Sequence, residues 1–217
     1  TSLAGRLLVA PTRGMLSSLS SLVASLTGSW STDDAPPVES TIDAASHVWC
    51  LAENAGLLFA GNAAGILHVW SLKDSQSMGS SAGHSGTIYA LCVRDNKVLF
   101  SGGADGKVCV WDLSAPVPEL IGSAQAVGEL SCPVLTLAVG GTGVYAGCAD
   151  GRLRRMDFDA ATKTLSPACA TTESLCKTIF AIALIGDGDA QPPLAVASAG
   201  SDSKVRLWHP DGLQLLC

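Results

Sequence analysis

The sequence contains little charge and few aromatic residues, and these shortages exclude whole classes of protein. Only 15% of its 217 residues are charged and 47% are hydrophobic, which is incompatible with an intrinsically disordered chain. Acidic residues outnumber basic ones by 19 to 13, and this net charge of -6 disfavours nucleic acid as the main partner, because phosphate binding needs a basic surface. No apolar run approaches the ~18–20 residues of a membrane-spanning helix, so we expect no membrane partner.

The eight cysteines lack the spacing of a metal site, and a disulfide framework is the less favoured alternative because so apolar a chain does not need disulfide bonds for stability. No Cys-x-x-Cys pair occurs, and no Cys/His cluster has metal-ligand spacing. Several of them, such as Cys50, Cys92 and Cys109, replace Val or Ala in strand-like runs, which favours buried free thiols in a reducing compartment. We therefore expect no metal, no cofactor, no small-molecule substrate and an intracellular, most simply cytoplasmic, protein.

The segment GGADGKVCVWDL, residues 102–113, is one of four copies of a repeated unit. Each copy has a turn position, a small residue three before it, an apolar residue six before it, and a large side chain six after it. The turn positions are Ala64, Asp105, Asp150 and Asp202; the residues six after them are Trp70, Trp111, Met156 and Trp208. These large residues recur at intervals of 41, 45 and 52 residues, and the constant internal spacing predicts a strand, a tight turn and a second strand.

A further apolar strand is predicted before each copy and a weaker one after it, so each unit contains four strands. The preceding strands lie at 47–52, 87–93, 133–139 and 178–184. The predicted units span about 42–82, 83–128, 129–173 and 174–217. The loop 186–193, rich in Gly, Asp and Pro, lengthens the last interval; Asp187 and Asp189 lack the rest of a calcium loop and are interpreted as solvated charges.

These repeats resemble the WD-repeat β-propeller family, whose four-stranded blades of ~40–45 residues begin with Gly-His and end with Trp-Asp. The second copy has both signatures, at Gly83-His84 and at Trp111-Asp112. The resemblance covers about residues 42–217 and implies an all-β propeller that acts as a non-catalytic protein-interaction scaffold in a multi-subunit complex. It also implies a structural hydrogen-bond chain within the second blade, formed by His84, Ser101, Asp105 and Trp111. A general-base role for His84 is the less favoured alternative.

The other copies depart from the family pattern. Ala64 replaces the turn aspartate, the third copy ends in Met156-Asp157, and the fourth ends in Trp208-His209. The positions that match His84 are Ala44, Leu130 and Leu175. We therefore expect the other three blades to depend mainly on apolar packing.

Residues 1–41 and the number of blades each allow two interpretations. The segment has Arg6 and Arg13 and no acidic residue before Asp33, which resembles an organelle (mitochondrial) transit peptide. The favoured interpretation is a degenerate partial blade, because with Arg13 as the turn position four residues fit the repeat pattern: Leu7, Ala10, Leu16 and Leu19. Typical family members close a ring of seven blades, which needs about 300 residues. We expect four clear blades plus the partial one to form part of such a ring, as a fragment of a longer protein or as an open propeller completed by another chain. A closed five-bladed ring is the alternative.

Two groups of residues are candidates for partner binding. The first occupies one register of the inner strands and could line the channel mouth, with interblade core as the alternative: Trp49, Tyr89, Leu135 and Phe180. The second is Arg152, Arg154 and Arg155, which could reach a partner chain or RNA, with internal pairing or solvation as the alternative. The rival functions are a substrate-recognition subunit of a ubiquitin ligase, a component of an RNA–protein complex, and an enzyme on a propeller scaffold.

Overall fold

A computed structural model describes residues 46–126, 132–171, 174, 177–186 and 193–216. Within these ranges every regular element is a β-strand, and the strands form separate antiparallel sheets that follow one another along the chain. The all-β prediction is therefore confirmed. The partial blade predicted for 1–41, and Asp187 and Asp189, lie outside the described residues.

Each sheet is a meander in which neighbouring strands are hydrogen-bonded in chain order. The first sheet contains β1 (Val48–Asn54), β2 (Leu57–Asn62), β3 (Ile66–Ser71) and β4 (Ser77–Ala82). The second contains β5 (Ile88–Arg94), β6 (Val98–Gly103), β7 (Lys107–Asp112) and β8 (Glu119–Gln125). The third contains β9 (Val134–Gly140), β10 (Gly143–Cys148), β11 (Leu153–Asp159) and β12 (Thr164–Ala170). The fourth contains β13 (Ile179–Ile185), β14 (Ala195–Gly200) and β15 (Val205–Trp208).

The repeated spacing appears in the structure as hairpin register. Residues six before and six after a turn lie opposite each other because the turn is midway between them. The observed pairs are Leu58 with Trp70, Leu99 with Trp111, Val144 with Met156, and Val196 with Trp208. The residue after the turn position has positive φ, which glycine adopts without strain in the second hairpin (Gly106, φ 74°), whereas the fourth uses Ser203 (φ 60°).

The fourth sheet has three strands instead of the predicted four. Leu215 forms an isolated bridge to Trp208, and the N–H of Leu216 donates to the carbonyl of Leu207 at 2.7 Å. Residues 214–216 therefore lie alongside β15, where an outer strand would be, without forming a full strand.

The sheets pack through their innermost strands, with β1 against β5, β5 against β9, and β9 against β13. Glycine three residues before the turn allows this close approach. A Cβ added at Gly61 would lie 2.6 Å from the side chain of Ile88, one at Gly102 2.5 Å from Val134, and one at Gly147 2.6 Å from Ile179. A larger residue at these positions would push the next sheet away, so the small residue in the repeat fixes the spacing between sheets.

Candidate interaction surface

Each innermost strand contains one residue that a β-bulge leaves out of the ladder. In the first, second and fourth sheets the bulges lie between Val48 and Cys50, between Ile88 and Ala90, and between Ile179 and Ala181. In the third sheet the bulge lies opposite Gly147 and Cys148. The bulged residues are Trp49, Tyr89, Leu135 and Phe180. A bulge redirects the side chain of its extra residue. We call these four residues the bulge surface.

The bulge surface carries exposed aromatic rings. Trp49 is 50% exposed and Phe180 is 40% exposed, whereas Tyr89 and Leu135 are half-buried. The rings of Trp49 and Tyr89, from neighbouring blades, meet edge to face with centroids 5.5 Å apart. Interblade core was the alternative for this register, and the core position is instead the residue just before the bulge. In the second to fourth sheets that residue is fully buried: Ile88, Val134 and Ile179.

The structure brings together the four side chains of the hydrogen-bond chain expected in the second blade. Nδ1 of His84 lies 2.9 Å from the Asp105 carboxylate, and Nε2 lies 2.8 Å from the Ser101 hydroxyl. The indole N–H of Trp111 donates to the same hydroxyl at 2.8 Å. Ser101 and Trp111 are fully buried, so this chain satisfies polar groups inside the sheet.

The carboxylate of Asp105 also holds two loops together. It accepts hydrogen bonds from the backbone N–H groups of Ser85 at 3.0 Å and Lys107 at 3.1 Å. Burial acts to raise the pKa of Asp105, but the hydrogen bonds from His84, Ser85 and Lys107 and the charge interaction with His84 together leave the pKa below its ordinary value. Asp105 thus ties the entrance to β5 to the turn before β7.

The other three blades have polar contacts of their own besides their apolar cores, and the expectation that they depend mainly on apolar packing stays a prediction. In the third blade the Asp150 carboxylate accepts two hydrogen bonds from Arg154, at 2.9 and 2.5 Å, and in the fourth Asp202 accepts one from Arg206. The fourth blade also has the equivalent of the Trp111–Ser101 hydrogen bond, because the indole N–H of Trp208 donates to the hydroxyl of Ser198 at 2.8 Å.

The first blade uses Asn62 in place of the missing turn aspartate. Its side-chain oxygen accepts from the backbone N–H groups of Ala64 and Ile66, at 3.0 and 2.9 Å, and its amide nitrogen lies 3.1 Å from His68. The Asp-x-x-x-Arg spacing of the third and fourth copies was visible in the sequence, whereas the Asn62 contacts had no repeated signal.

The arginine cluster is divided by the structure, so its members do not form one binding patch. Arg154 is buried and paired with Asp150, which removes it as a partner-binding candidate. Arg155 reaches the fourth blade, where it donates to the backbone oxygen and the carboxylate of Asp211 at 3.0 and 3.1 Å. Arg152 remains exposed. Arg155 thus connects the third and fourth blades from a strand position that is apolar in the other blades.

The sequence also contains a Gly-x-Ser-x-Gly spacing at 79–83, a pattern associated with hydrolase nucleophiles. It lies along the outer strand β4, and the hydroxyl of Ser81 donates to the carbonyl of Pro118 at 2.7 Å. A nucleophile elbow requires a sharp strand-to-helix turn, so this spacing is a coincidence of composition.

Among the residues whose placement is described, no three His, Cys, Asp or Glu side chains gather as a metal site, and no helix is long and apolar enough to span a membrane.

Acid is expected to destabilise the fold because several aspartates are held by cations or N–H donors. The hydrogen bond from Lys163 lowers the pKa of Asp112 to about 2, and the hydrogen bond from Arg206 lowers the pKa of Asp202. Such a carboxyl group has a lower pKa in the folded protein than in the unfolded chain, where it is about 3.9, and it stabilises the fold at any pH above that value. This stabilisation is lost as the pH falls through the pKa of the group in the folded protein. The melting temperature should therefore fall between about pH 4 and pH 2.

Circular dichroism melts at several pH values test this expectation, with two single variants for comparison. Asp202→Asn should make the acid dependence shallower, whereas Glu119→Gln, which removes an exposed carboxylate, should leave it unchanged. A melting temperature that stays constant from neutral pH to about pH 2 would show that these carboxylates do not act through their ionised form.

The repeats and the fold have counterparts among known proteins. The family model "WD domain, G-beta repeat" matches residues 75–112. The sterol regulatory element-binding protein cleavage-activating protein of Xenopus laevis is 32% identical over 109 residues, which are 48% of this chain and 8% of that protein. The guanine nucleotide-binding protein subunit beta-like protein 1 of Mus musculus is 32% identical over 71 residues, which are 32% of this chain and 22% of that protein. The matches thus span less than a quarter of either relative.

A solved propeller extends the similarity over most of the chain. The structure of Saccharomyces cerevisiae Sqt1 superposes with a TM-score of 0.67 at 15% identity, covering 79% of this chain and 47% of that one. At this identity the match concerns the fold alone. The packed sheets described above are therefore propeller blades, while the number of blades in the ring stays a prediction.

Proposed function

We propose, from the premise that this chain belongs to the WD-repeat β-propellers, that it is a non-catalytic scaffold that binds other proteins through the bulge surface. The observation that carries the proposal is the placement of Trp49 and Phe180 on β-bulges, where these residues are 50% and 40% exposed. Large aromatic side chains left partly in water are the residues most often found as anchors in protein interfaces.

The blades hold this surface rigidly, which favours binding over chemistry. Trp49 stands beside Tyr89, and the adjacent pre-bulge residue Ile88 is fully buried against the first blade. The Asp105 contacts fix the loop that leads into β5. Anchors that are already ordered lose little conformational entropy on binding, so a small surface can bind tightly.

The chemistry of the surface suggests the chemistry of its partner. The exposed face of Trp49 can accept an apolar side chain, or the cation of a lysine or arginine. The net charge of -6 attracts a basic segment over a longer range and raises its association rate. We therefore propose a protein segment that combines a basic residue with an apolar anchor, within a larger intracellular assembly. Five of the described cysteines, Cys50, Cys109, Cys132, Cys148 and Cys169, are not in disulfide bonds, which supports a reducing compartment.

The alternatives gain less support. Two of the three arginines that could have contacted RNA form ion pairs within this chain, Arg154 with Asp150 and Arg155 with Asp211. A ubiquitin-ligase subunit stays a prediction that none of the described contacts favours. The mouse relative is named as similar to the β subunit of a guanine nucleotide-binding protein, which supports assembly into a complex.

Comparative affinity capture tests the proposal. The tagged chain and two single variants are used to capture proteins from a cell extract, followed by quantitative mass spectrometry. Trp49→Ser should lose most of a reproducible set of proteins, whereas Met78→Ser should retain it. Met78 is a matched control because it is the bulge residue of outer strand β4 in the same blade and is 38% exposed. Equal capture by both variants would contradict the proposed surface.

A further inference from the structure

The side-chain amide of Asn62 is held in one orientation by the turn before β3. Its oxygen accepts hydrogen bonds from the backbone N–H groups of Ala64 and Ile66, at 3.0 and 2.9 Å. An amide nitrogen only donates, so the opposite orientation would place an NH2 group against two N–H donors. Asn62 is only 1% exposed, which leaves little room for water to replace either contact. The amide nitrogen of Asn62 is therefore the group that meets His68.

His68 meets this amide with an unprotonated ring nitrogen. Nε2 of His68 lies 3.1 Å from the side-chain nitrogen of Asn62. Because the amide nitrogen donates, Nε2 has to accept, so the ring is neutral with its proton on Nδ1. The ring also stacks on Trp70, with centroids 5.5 Å apart and planes 16° apart. Burial lowers the pKa of His68 below its ordinary value, which agrees with a ring held in its neutral form.

The neighbouring strands of the first blade supply no charge that would favour a protonated ring. His68 lies opposite Ala60 of β2 and Ser80 of β4. Apart from His68, no ionisable side chain occurs in β2, β3, β4 or the turn that joins β2 to β3. The second blade differs, because His84 there faces the carboxylate of Asp105, which can accept from a neutral or a protonated ring. The contact in the first blade accommodates only the neutral ring.

The turn that Asn62 holds lies between two bulges of the bulge surface. Asn62 pairs in the ladder with Val48, the residue just before the first bulge. The carbonyl of the next residue in the turn, Ala63, accepts a hydrogen bond at 3.4 Å from the hydroxyl of Thr87, which precedes the second bulge by two residues. A disturbance of this turn therefore reaches both aromatic rings that meet edge to face at these bulges.

We propose that His68 is a pH-sensitive switch, whose protonation breaks the contact with Asn62, loosens the turn of the first blade and weakens partner binding at the bulge surface. The protonated ring has an N–H donor on both nitrogens, so Nε2–H and the amide of Asn62 would face each other as two donors. The last step rests on the proposed function of the bulge surface, whereas the first two concern the chain alone.

The direction of the pH effect follows from the lowered pKa of His68. A neutral ring stabilises the fold at any pH above the pKa of histidine in the unfolded chain, which is about 6.5. That stabilisation is lost as the pH falls through the lower pKa in the folded protein. The switch therefore acts at a higher pH than the protonation of the aspartates.

NMR titration of the whole chain tests the contact and the turn, with His68→Gln used to assign the ring signal. We expect a pKa below about 6.5 for His68, and an indole N–H signal of Trp49 that changes over the same pH range. Asn62→Asp is the informative variant. A carboxylate still accepts from the turn N–H groups and also accepts from a protonated ring, so the pKa of His68 should rise above about 6.5. A pKa that Asn62→Asp leaves unchanged, or a Trp49 signal that does not follow His68, would overturn the switch.

Affinity capture on either side of about pH 6.5 tests the effect on binding. The unchanged chain should lose most of its captured proteins at the lower pH. His68→Gln keeps an acceptor for Asn62 and cannot be protonated, so it should retain them at both pH values. Equal retention by the unchanged chain at both pH values, or an equal loss by His68→Gln, would overturn regulation by His68.

A failure of the proposed function would look different. In that case Trp49→Ser and the unchanged chain would capture the same proteins at the higher pH, while the pKa of His68 still responded to Asn62→Asp. Only the effect on binding would then fall, and the contact between His68 and Asn62 would stand.

Discussion

Replacing Trp111 by alanine is expected to lower the free energy of unfolding by about 3–5 kcal/mol, as for other fully buried large aromatic side chains. The Trp111 side chain is fully buried, and its ring fills the space beside Gly83, where an added Cβ would lie 2.4 Å away. Its indole N–H is also hydrogen-bonded to Ser101, which in turn contacts His84. The change therefore combines a cavity with the loss of one hydrogen bond in a buried chain. Urea unfolding measures the loss.

Trp111→Phe separates these two causes. It keeps most of the apolar contact and removes only the N–H donor, so we expect a loss of about 1–2 kcal/mol, as for a buried hydrogen bond whose acceptor stays behind. If Trp111→Ala lowers the free energy of unfolding by less than about 1 kcal/mol, the second blade does not depend on Trp111 and its hydrogen bonds in the way described.

Replacing Asp150 by alanine is expected to cost about 2–3 kcal/mol. The side chain of Arg154 is only 5% exposed, and Asp150 is its counter-ion, so the change leaves a buried cation unpaired. A fully buried pair would cost about 3–5 kcal/mol, and the lower figure reflects the 34% exposure of the Asp150 side chain, where water screens the interaction. The pKa of Asp150 agrees with this balance. Burial acts to raise it, but the hydrogen bonds from Arg154 and from the backbone N–H of Arg152, together with the charges of both arginines, leave it below its ordinary value.

Two further variants control for the loss of a carboxylate. Asp202→Ala removes the equivalent contact in the fourth blade, where Arg206 is more exposed, and should cost clearly less. The double change Asp150→Ala with Arg154→Met should recover much of the loss, because an apolar side chain of similar length needs no counter-ion. Equal losses for Asp150→Ala and Asp202→Ala would contradict a role for burial of the cation.

The hairpins could be predicted from the sequence because they depend on local spacing, which needs only the period of a strand. The residues six before and six after Asp105 lie opposite each other whatever surrounds them, as Leu99 and Trp111 do. The hydrogen-bond chain of the second blade was instead implied by the resemblance to WD repeats, because His84 and Ser101 are 17 residues apart and no local spacing joins them.

The exposure of the bulge surface and the division of the arginines could not be predicted in the same way. Trp49 and Ile88 have similar apolar character, and only the bulge and the neighbouring sheet decide which kind of position is buried. Arg154 and Arg155 are adjacent in sequence, but strand alternation sends them to opposite faces. Arg155 then meets Asp211, which is 56 residues away. Such contacts depend on the packing of blades, which no local pattern encodes.

Site-specific photo-crosslinking tests the central claim, that the bulge surface binds a partner protein. A photoreactive phenylalanine analogue is placed at position 49 in one sample and at position 78 in another, and each is irradiated in the presence of the captured proteins. We expect a covalent adduct of defined mass from position 49 and none from position 78. An adduct from position 78 alone, or none from position 49 while the partner remains bound, would contradict the account.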